Sequence, residues 1–187
     1  VCRIISEIGQ MRKAENPVIT GYEFHVLNLV TYTCPKYLIL PYLRETLEEL
    51  KHREPDEKPA FRAKVAVVGS EIDDPSLTKL IEDCGALVSE CARYISDEKV
   101  AQRRQTTDRL AREYNADGII YEQMKFCDYW GFERALASHI MSTEMGWPVL
   151  SIDRPYNARS SGQLRTRFQA FVESLEIKRI QKNGGSN

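Results

Sequence analysis

The sequence predicts a doubly wound, Rossmann-like α/β fold, a parallel sheet of about four strands behind a helical N-terminal lead-in. Three observations predict it. Short apolar, β-branched runs recur after position 63, segments with helical periodicity separate them, and Gly- or Asx-containing turns mark the boundaries. Parallel strands need a connection long enough to carry the chain back, and a helix is the usual one.

The lead-in occupies residues 1–62. Cys2, Ile5, Ile8 and Met11 fall three apart and predict a helix, with no capping residue before it. An uncapped start of this kind predicts that the sequence begins inside a longer protein. Asn16-Pro17 ends the helix, because a residue before proline avoids helical angles. Thr20 then caps a second helix, with Glu23 placed to complete a capping box. From Pro35 to about Lys51, Ile39, Tyr42, Leu43, Leu47 and Leu50 share a face opposite Glu45, Glu48 and Glu49. His52 to Arg62, with Pro55 and Pro59 among charges, reads as a linker.

The α/β domain is expected over residues 63–180. Lys64 to Gly69 is a buried parallel strand by composition. Asp73, Asp74, Pro75 and Ser76 start a helix whose inner face is Leu77, Leu80, Ile81 and Cys84, and Gly85 stops it. Ala86 to Ser89 is the second strand. A helix from about Asp97 to Tyr114, buried through Val100, Leu110, Ala111 and Tyr114, leads to a third strand at Ile119 to Tyr121. Gly131 to Met145 is helical, and Trp147 to Ile152 is the fourth strand. Ser160-Ser161-Gly162-Gln163 opens a last helix with the stripe Leu164, Phe168, Phe171, Val172 and Leu175. Residues 181–187 read as a flexible tail.

Composition narrows the function classes. The chain has 187 residues, 42% hydrophobic and 28% charged, as ordinary soluble domains do. A net charge of −1 provides no global field for nucleic acid. Apolar runs fall far short of a membrane span, and Val1 to Ile8 lacks the pattern of a signal peptide, so a cytoplasmic protein is expected. The five cysteines form no CxxC pair and are expected as reduced thiols, with metal or cluster ligation open.

Ligands of such folds sit at the carboxyl ends of the strands. The Gly69 loop has neither GxGxxG nor a P-loop, and Glu71, Asp73 and Asp74 would repel a phosphate; a helix cap is the simpler reading. Phe126-Cys127-Asp128 lies between a strand and a helix, which places the Cys127 thiol at the active edge. Cys91 follows the second strand. Cys84, on an inner helical face, reads as a buried small side chain. His25, His52 and His139 have no metal spacing and read as surface or helix residues. Arg165 and Arg167 either snorkel over a core edge or hold a phosphate or carboxylate. Tyr121, Glu122 and Asp128 are candidate proton donors by nearness in sequence to Cys127, and Glu122 equally reads as a strand-end cap.

Taken together, four segments resemble one family: Val67 to Asp74, Leu80 to Val88, Asn115 to Asp128 and Gly162 to Glu173. Their order and spacing are similar to the benzoyl-CoA reductase and 2-hydroxyacyl-CoA dehydratase family, in the C-terminal half of a subunit like the 2-hydroxyglutaryl-CoA dehydratase D-component. The resemblance implies a [4Fe–4S] cluster held by three cysteines, an ATP-hydrolysing iron–sulfur activator as electron donor, a homologous partner subunit and an acyl-CoA thioester substrate. Cys127 matches the last of the family's cluster cysteines. The two earlier ligands belong to an N-terminal domain that this sequence does not contain. Cys91 corresponds to a cysteine-containing turn after the second strand, where Ser89 to Tyr94 is shorter than the family pattern. Gly69 to Asp74 and Tyr121 to Asp128 look closer to benzoyl-CoA reductase subunits. Low-potential electron transfer to an aromatic acyl-CoA is therefore the expected reaction. Radical dehydration of a 2-hydroxyacyl-CoA is the alternative, and a scaffold subunit without its own cluster is a third reading.

Overall fold

A computed structural model describes residues 1–55, 60–70, 72–92, 100–156 and 162–184. The lead-in forms α1 (Cys2–Met11), α2 (Gly21–Thr33) and α3 (Lys36–His52). The remainder alternates β1 (Ala63–Gly69), α4 (Ser76–Asp83), β2 (Ala86–Ala92), α5 (Val100–Glu113), β3 (Gly118–Met124), α6 (Asp128–Thr143), β4 (Val149–Arg154) and α7 (Gly162–Gly184). All pairings are parallel, in the order β2-β1-β3-β4. The fold class is the expected one.

Strand alternation sorts the core into two layers. Val65 and Val67 of β1, Ile120 and Ile152 pack against α4 and α7 through Leu77, Ile81, Leu164, Phe168 and Val172. Ala66, Val68, Ile119 and Tyr121 face the other way, onto Ala111 of α5 and Ala137 and Met141 of α6. Helix α5 has a strongly polar sequence and is held by charge as well as burial. Its Arg104 meets the buried Glu133 of α6 at 3.2 Å, and Arg103 lies 3.8 Å from the same carboxylate.

The lead-in has a small core of its own, Ile8, Ile19, Leu47 and Leu50, and it docks on the sheet through polar contacts. Thr20 and Glu23 form the expected capping box. Beyond it, the Glu82 carboxylate accepts the backbone N–H groups of Gly21 (2.8 Å), Tyr22 (3.1 Å) and Val88 (3.2 Å), so one α4 side chain caps α2 and fixes it to β2. Burial pushes the Glu82 carboxyl up, against the pull of those three donors. A Cβ on Gly21 would lie 2.4 Å from the Val88 carbonyl oxygen, so this approach requires glycine. Arg12 donates to the same carbonyl at 2.8 Å. His25, expected as a surface or helix residue, lies on α2 and is buried between Thr78 Oγ1 (2.8 Å) and the Ile72 carbonyl (2.9 Å).

Other expectations are corrected locally. Tyr42 is 70% exposed, because the inward stripe of α3 follows Ile39, Leu43, Leu47 and Leu50 and leaves Tyr42 on its flank. In α1, Ile4 rather than Ile5 joins Ile8 and Met11 against the lead-in core, and Cys2 is exposed. Leu110 is only half-buried. Strands β2, β3 and β4 run beyond their apolar stretches to Ala92, Met124 and Arg154, since ladder pairing carries the polar Glu122 and Arg154. Helix α6 starts at Asp128 instead of Gly131, and α7 continues to Gly184, so residues 181–184 are helical. The expected features at Glu71, Pro59, Asp97, Ser160-Ser161 and 185–187 lie outside the described residues.

Two stability measurements check this packing. Phe168 is fully buried between α7 and the sheet, and Phe168→Ala is expected to cost roughly 3–5 kcal/mol in denaturant unfolding. A loss below about 1 kcal/mol would mean the stripe of α7 is misassigned. Glu82→Ala orphans three backbone donors and is expected to cost about 2 kcal/mol or more, with earlier proteolysis within the lead-in.

Candidate functional site

Strands β2 and β3 flank β1, so the chain leaves β1 on one side and α5 returns it on the other. The crevice beyond the carboxyl ends of β1 and β3 is the topological switch point, where open α/β sheets bind ligands. Its floor begins at Gly69, paired with Glu122. Gly69 has φ +148°, and a Cβ there would fall 1.8 Å from the Glu122 carbonyl oxygen. Only glycine allows this contact. Ser70 continues the join: its N–H donates to the Glu122 carbonyl (3.3 Å) and its Oγ accepts from the Met124 N–H (2.9 Å).

The Glu122 side chain is fully buried and lies within β3, not as a cap at its end. Oε2 accepts from Arg154 Nε at 2.8 Å; among the described residues Oε1 has no hydrogen-bond partner. Burial pushes the carboxyl up to about 7, with Arg154 pulling the other way. The group therefore exchanges its proton near neutrality, as general acids and bases do. Tyr121, on the opposite face, is pushed by burial up to about 12 and keeps its proton. Above the pair, Tyr156 donates to Asp73 Oδ2 at 2.7 Å, joining the exit of β4 to the loop after β1.

Cys127 is the N-cap of α6 and is half-buried. The turn before it holds Phe126 at φ +69° with a side chain 98% exposed. Three backbone hydrogen bonds hold Cys127: its N–H donates to Met124 (3.1 Å), and its carbonyl accepts from Gly131 (2.9 Å) and Gln123 Nε2 (3.0 Å). Gln123 is held in turn by Arg134, which also reaches Ser151 Oγ on β4. The thiol thus stands at the sheet's carboxyl edge, at the positive end of a helix dipole. Asp128, the first residue of α6, is exposed.

The other expected site residues lie apart. Cys91 pairs in register with Val67 near the carboxyl end of β2. Cys84 is buried with its Sγ 3.7 Å from the Arg165 carbonyl, and burial pushes its thiol up. Arg165 and Arg167 are exposed on α7, and the Arg167 guanidinium donates to the Ser151 carbonyl at 2.6 Å. The arginine that meets the crevice carboxylate is Arg154, the last residue of β4. Strand β4 carries Ser151 and Asp153 as well as Arg154, and β3 carries Gln123 beside Glu122, so composition does not single out the pair. Among the described residues no three His, Cys, Asp or Glu side chains gather to hold a metal. A complete iron–sulfur cluster takes three or four thiolates, and among the described residues no such set gathers around Cys127.

The sequence model of the family described as 2-hydroxyglutaryl-CoA dehydratase, D-component, matches residues 1–93 and 86–175. The two matches overlap over residues 86–93, which include the whole of β2. The chain is 22% identical to the (R)-phenyllactyl-CoA dehydratase beta subunit of Clostridium sporogenes over 205 aligned positions, covering 92% of this chain and 54% of that protein. It is 24% identical to a putative dehydratase subunit, YjiM, of Escherichia coli over 107 positions, covering 52% of this chain and 28% of that protein. It therefore spans about half the length of the first relative and about a quarter of the second.

The Glu122 shift has a definite sign. The folded carboxyl, near 7, lies above its ordinary 4.5, so its contribution to stability is full below about 4.5 and is lost as pH rises through about 7. Glu122→Gln is expected to flatten this part of the stability–pH profile, measured by denaturant midpoints. An unchanged slope would place the titration elsewhere.

Proposed function

The chain belongs to the 2-hydroxyglutaryl-CoA dehydratase D-component family, and on that premise we propose that it is part of a 2-hydroxyacyl-CoA dehydratase subunit. The reaction would remove water from a 2-hydroxyacyl thioester of coenzyme A. The observation that supports it most is the placement of Cys127, a half-buried thiol at the switch-point edge in the one segment that resembles a cluster ligand. Both curated relatives carry dehydratase names, which favours dehydration over the aromatic reduction expected from the Gly69 and Cys127 segments.

Within the crevice, departure of a hydroxyl requires a proton. Glu122 is the group suited to hold one near neutral pH, at Oε1, while Arg154 fixes Oε2. Gly69 and Ser70 draw β1 against the main chain of β3, and the Glu122 carboxyl beside this junction is buried. Asp128 is exposed at the rim, where it can meet a substrate only from the mouth. The proposal includes a [4Fe–4S] cluster for which Cys127 supplies one thiolate and residues outside the described set supply the others. It also includes a homologous subunit and an ATP-hydrolysing iron–sulfur activator as partners. Among the described residues no helix is long and apolar enough to cross a membrane.

In the complete, anaerobically purified enzyme, Cys127→Ser is expected to lower iron content and abolish dehydration of a 2-hydroxyacyl-CoA while the circular dichroism melt stays unchanged. Retention of both iron and turnover would remove Cys127 from the site. Turnover of benzoyl-CoA, with none of a 2-hydroxyacyl-CoA, would restore the reductase reading.

A further inference from the structure

The opposite edge of the sheet carries a second concavity, unrelated to the switch-point crevice. A cavity of about 680 Å³ opens beneath the amino ends of β3 and β4, a volume within the range of small-molecule sites. The turns that enter those strands, Asn115 to Asp117 and Gly146 to Pro148, form its floor. An adjoining cavity of about 480 Å³ shares Asn115, Asp117 and Arg179 with it, so the two make one groove.

Charge in the main cavity is one-sided. Arg112 enters from α5, on one layer, while Lys178, Arg179 and Lys182 enter from α7, on the other. Asp117 is the single carboxylate in the lining, and its Oδ2 is occupied by the Lys64 N–H at 2.8 Å. Arg112 is paired with Asp108 on its own helix, and Arg179 meets the largely exposed Glu15 at 3.7 Å. Among the described residues, Lys178 and Lys182 have no ion-pair partner. Like charges at i and i+4 repel and destabilise a helix. The negative end of the α7 dipole offsets this for Lys182, in the last turn, and not for Lys178. In a chain of net charge −1, this is a local concentration of positive charge.

The floor differs in character. Ala116, Pro148 and Leu175 are apolar, and Trp147 is fixed beside them by a 2.8 Å hydrogen bond from its Nε1 to Asp108. Cations from both layers above an apolar floor suit an anion attached to an organic body. Inorganic phosphate would leave the floor unused, and a neutral ring would leave the lysines unpaired.

We infer that this amino-edge groove binds an organic phosphate, with the phosphates between Lys178, Arg179 and Lys182 and the organic part on Ala116, Trp147 and Pro148. The inference is independent of the dehydratase reading, since no crevice residue takes part.

Isothermal titration calorimetry of the chain with ADP, pyrophosphate and adenosine tests it. ADP is expected to bind saturably at one per chain, with pyrophosphate and adenosine each weaker by about tenfold or more, and with affinity falling as salt rises. Lys178→Glu with Lys182→Glu is expected to weaken ADP by at least about tenfold with an unchanged circular dichroism spectrum. Should that variant not fold, Lys178→Gln with Lys182→Gln is expected to weaken ADP in the same direction. Cys127→Ser, at the other edge, should leave the affinity as it was. Absence of saturable ADP binding, pyrophosphate binding as tight as ADP, or undiminished binding by a folded double variant would each overturn the proposal.

Discussion

The contact between the end of β1 and the backbone of β3 organises the carboxyl edge. At Gly69 the strands meet so closely that a methyl group would overlap the Glu122 carbonyl oxygen. The approach lets Ser70 bond to the main chain of both Glu122 and Met124, beside the buried Glu122 side chain. A carboxylate so enclosed is costly to keep charged, and one arginine at 2.8 Å only partly offsets the loss of water. The upward shift of the Glu122 carboxyl is thus a product of its burial at this strand junction, with Arg154 as a counterweight.

A similar economy joins the lead-in to the sheet. Three backbone donors from two elements converge on the Glu82 carboxylate, and His25 satisfies a hydroxyl and a carbonyl with its two ring nitrogens. Burying these groups is tolerable because each is answered by a partner. The helices of the lead-in are accordingly fixed in position by specific polar contacts, whereas their apolar residues build mainly their own small core.

Much of this was legible in the sequence. Periodicity located each strand and helix, and the Thr20–Glu23 box, the α7 stripe and the burial of Cys84 follow from local pattern alone. Strand ends were less legible, because apolar runs stop where Glu122 and Arg154 begin, and only ladder pairing reveals that the strands continue. His25 sits on a helix as read, but its burial was not legible: its partners lie 47 and 53 residues away, and no local pattern encodes them. At the site, the edge position of Cys127 was readable from strand-turn-helix order. The Glu122–Arg154 pair was not, since it depends on which strands become neighbours.

The Arg134 side chain gives the thiol's surroundings an unexpected mechanical character. It bridges Ser151 on β4 and Gln123 on β3, and Gln123 passes the restraint to the Cys127 carbonyl. Main chain that would otherwise move as a surface loop is thereby braced across two strands. A shear between β3 and β4 would reach the residue bearing the sulfur before it reached the tip of the turn at Phe126. The thiol inherits the stiffness of the sheet, while the aromatic ring beside it keeps the freedom of the surface.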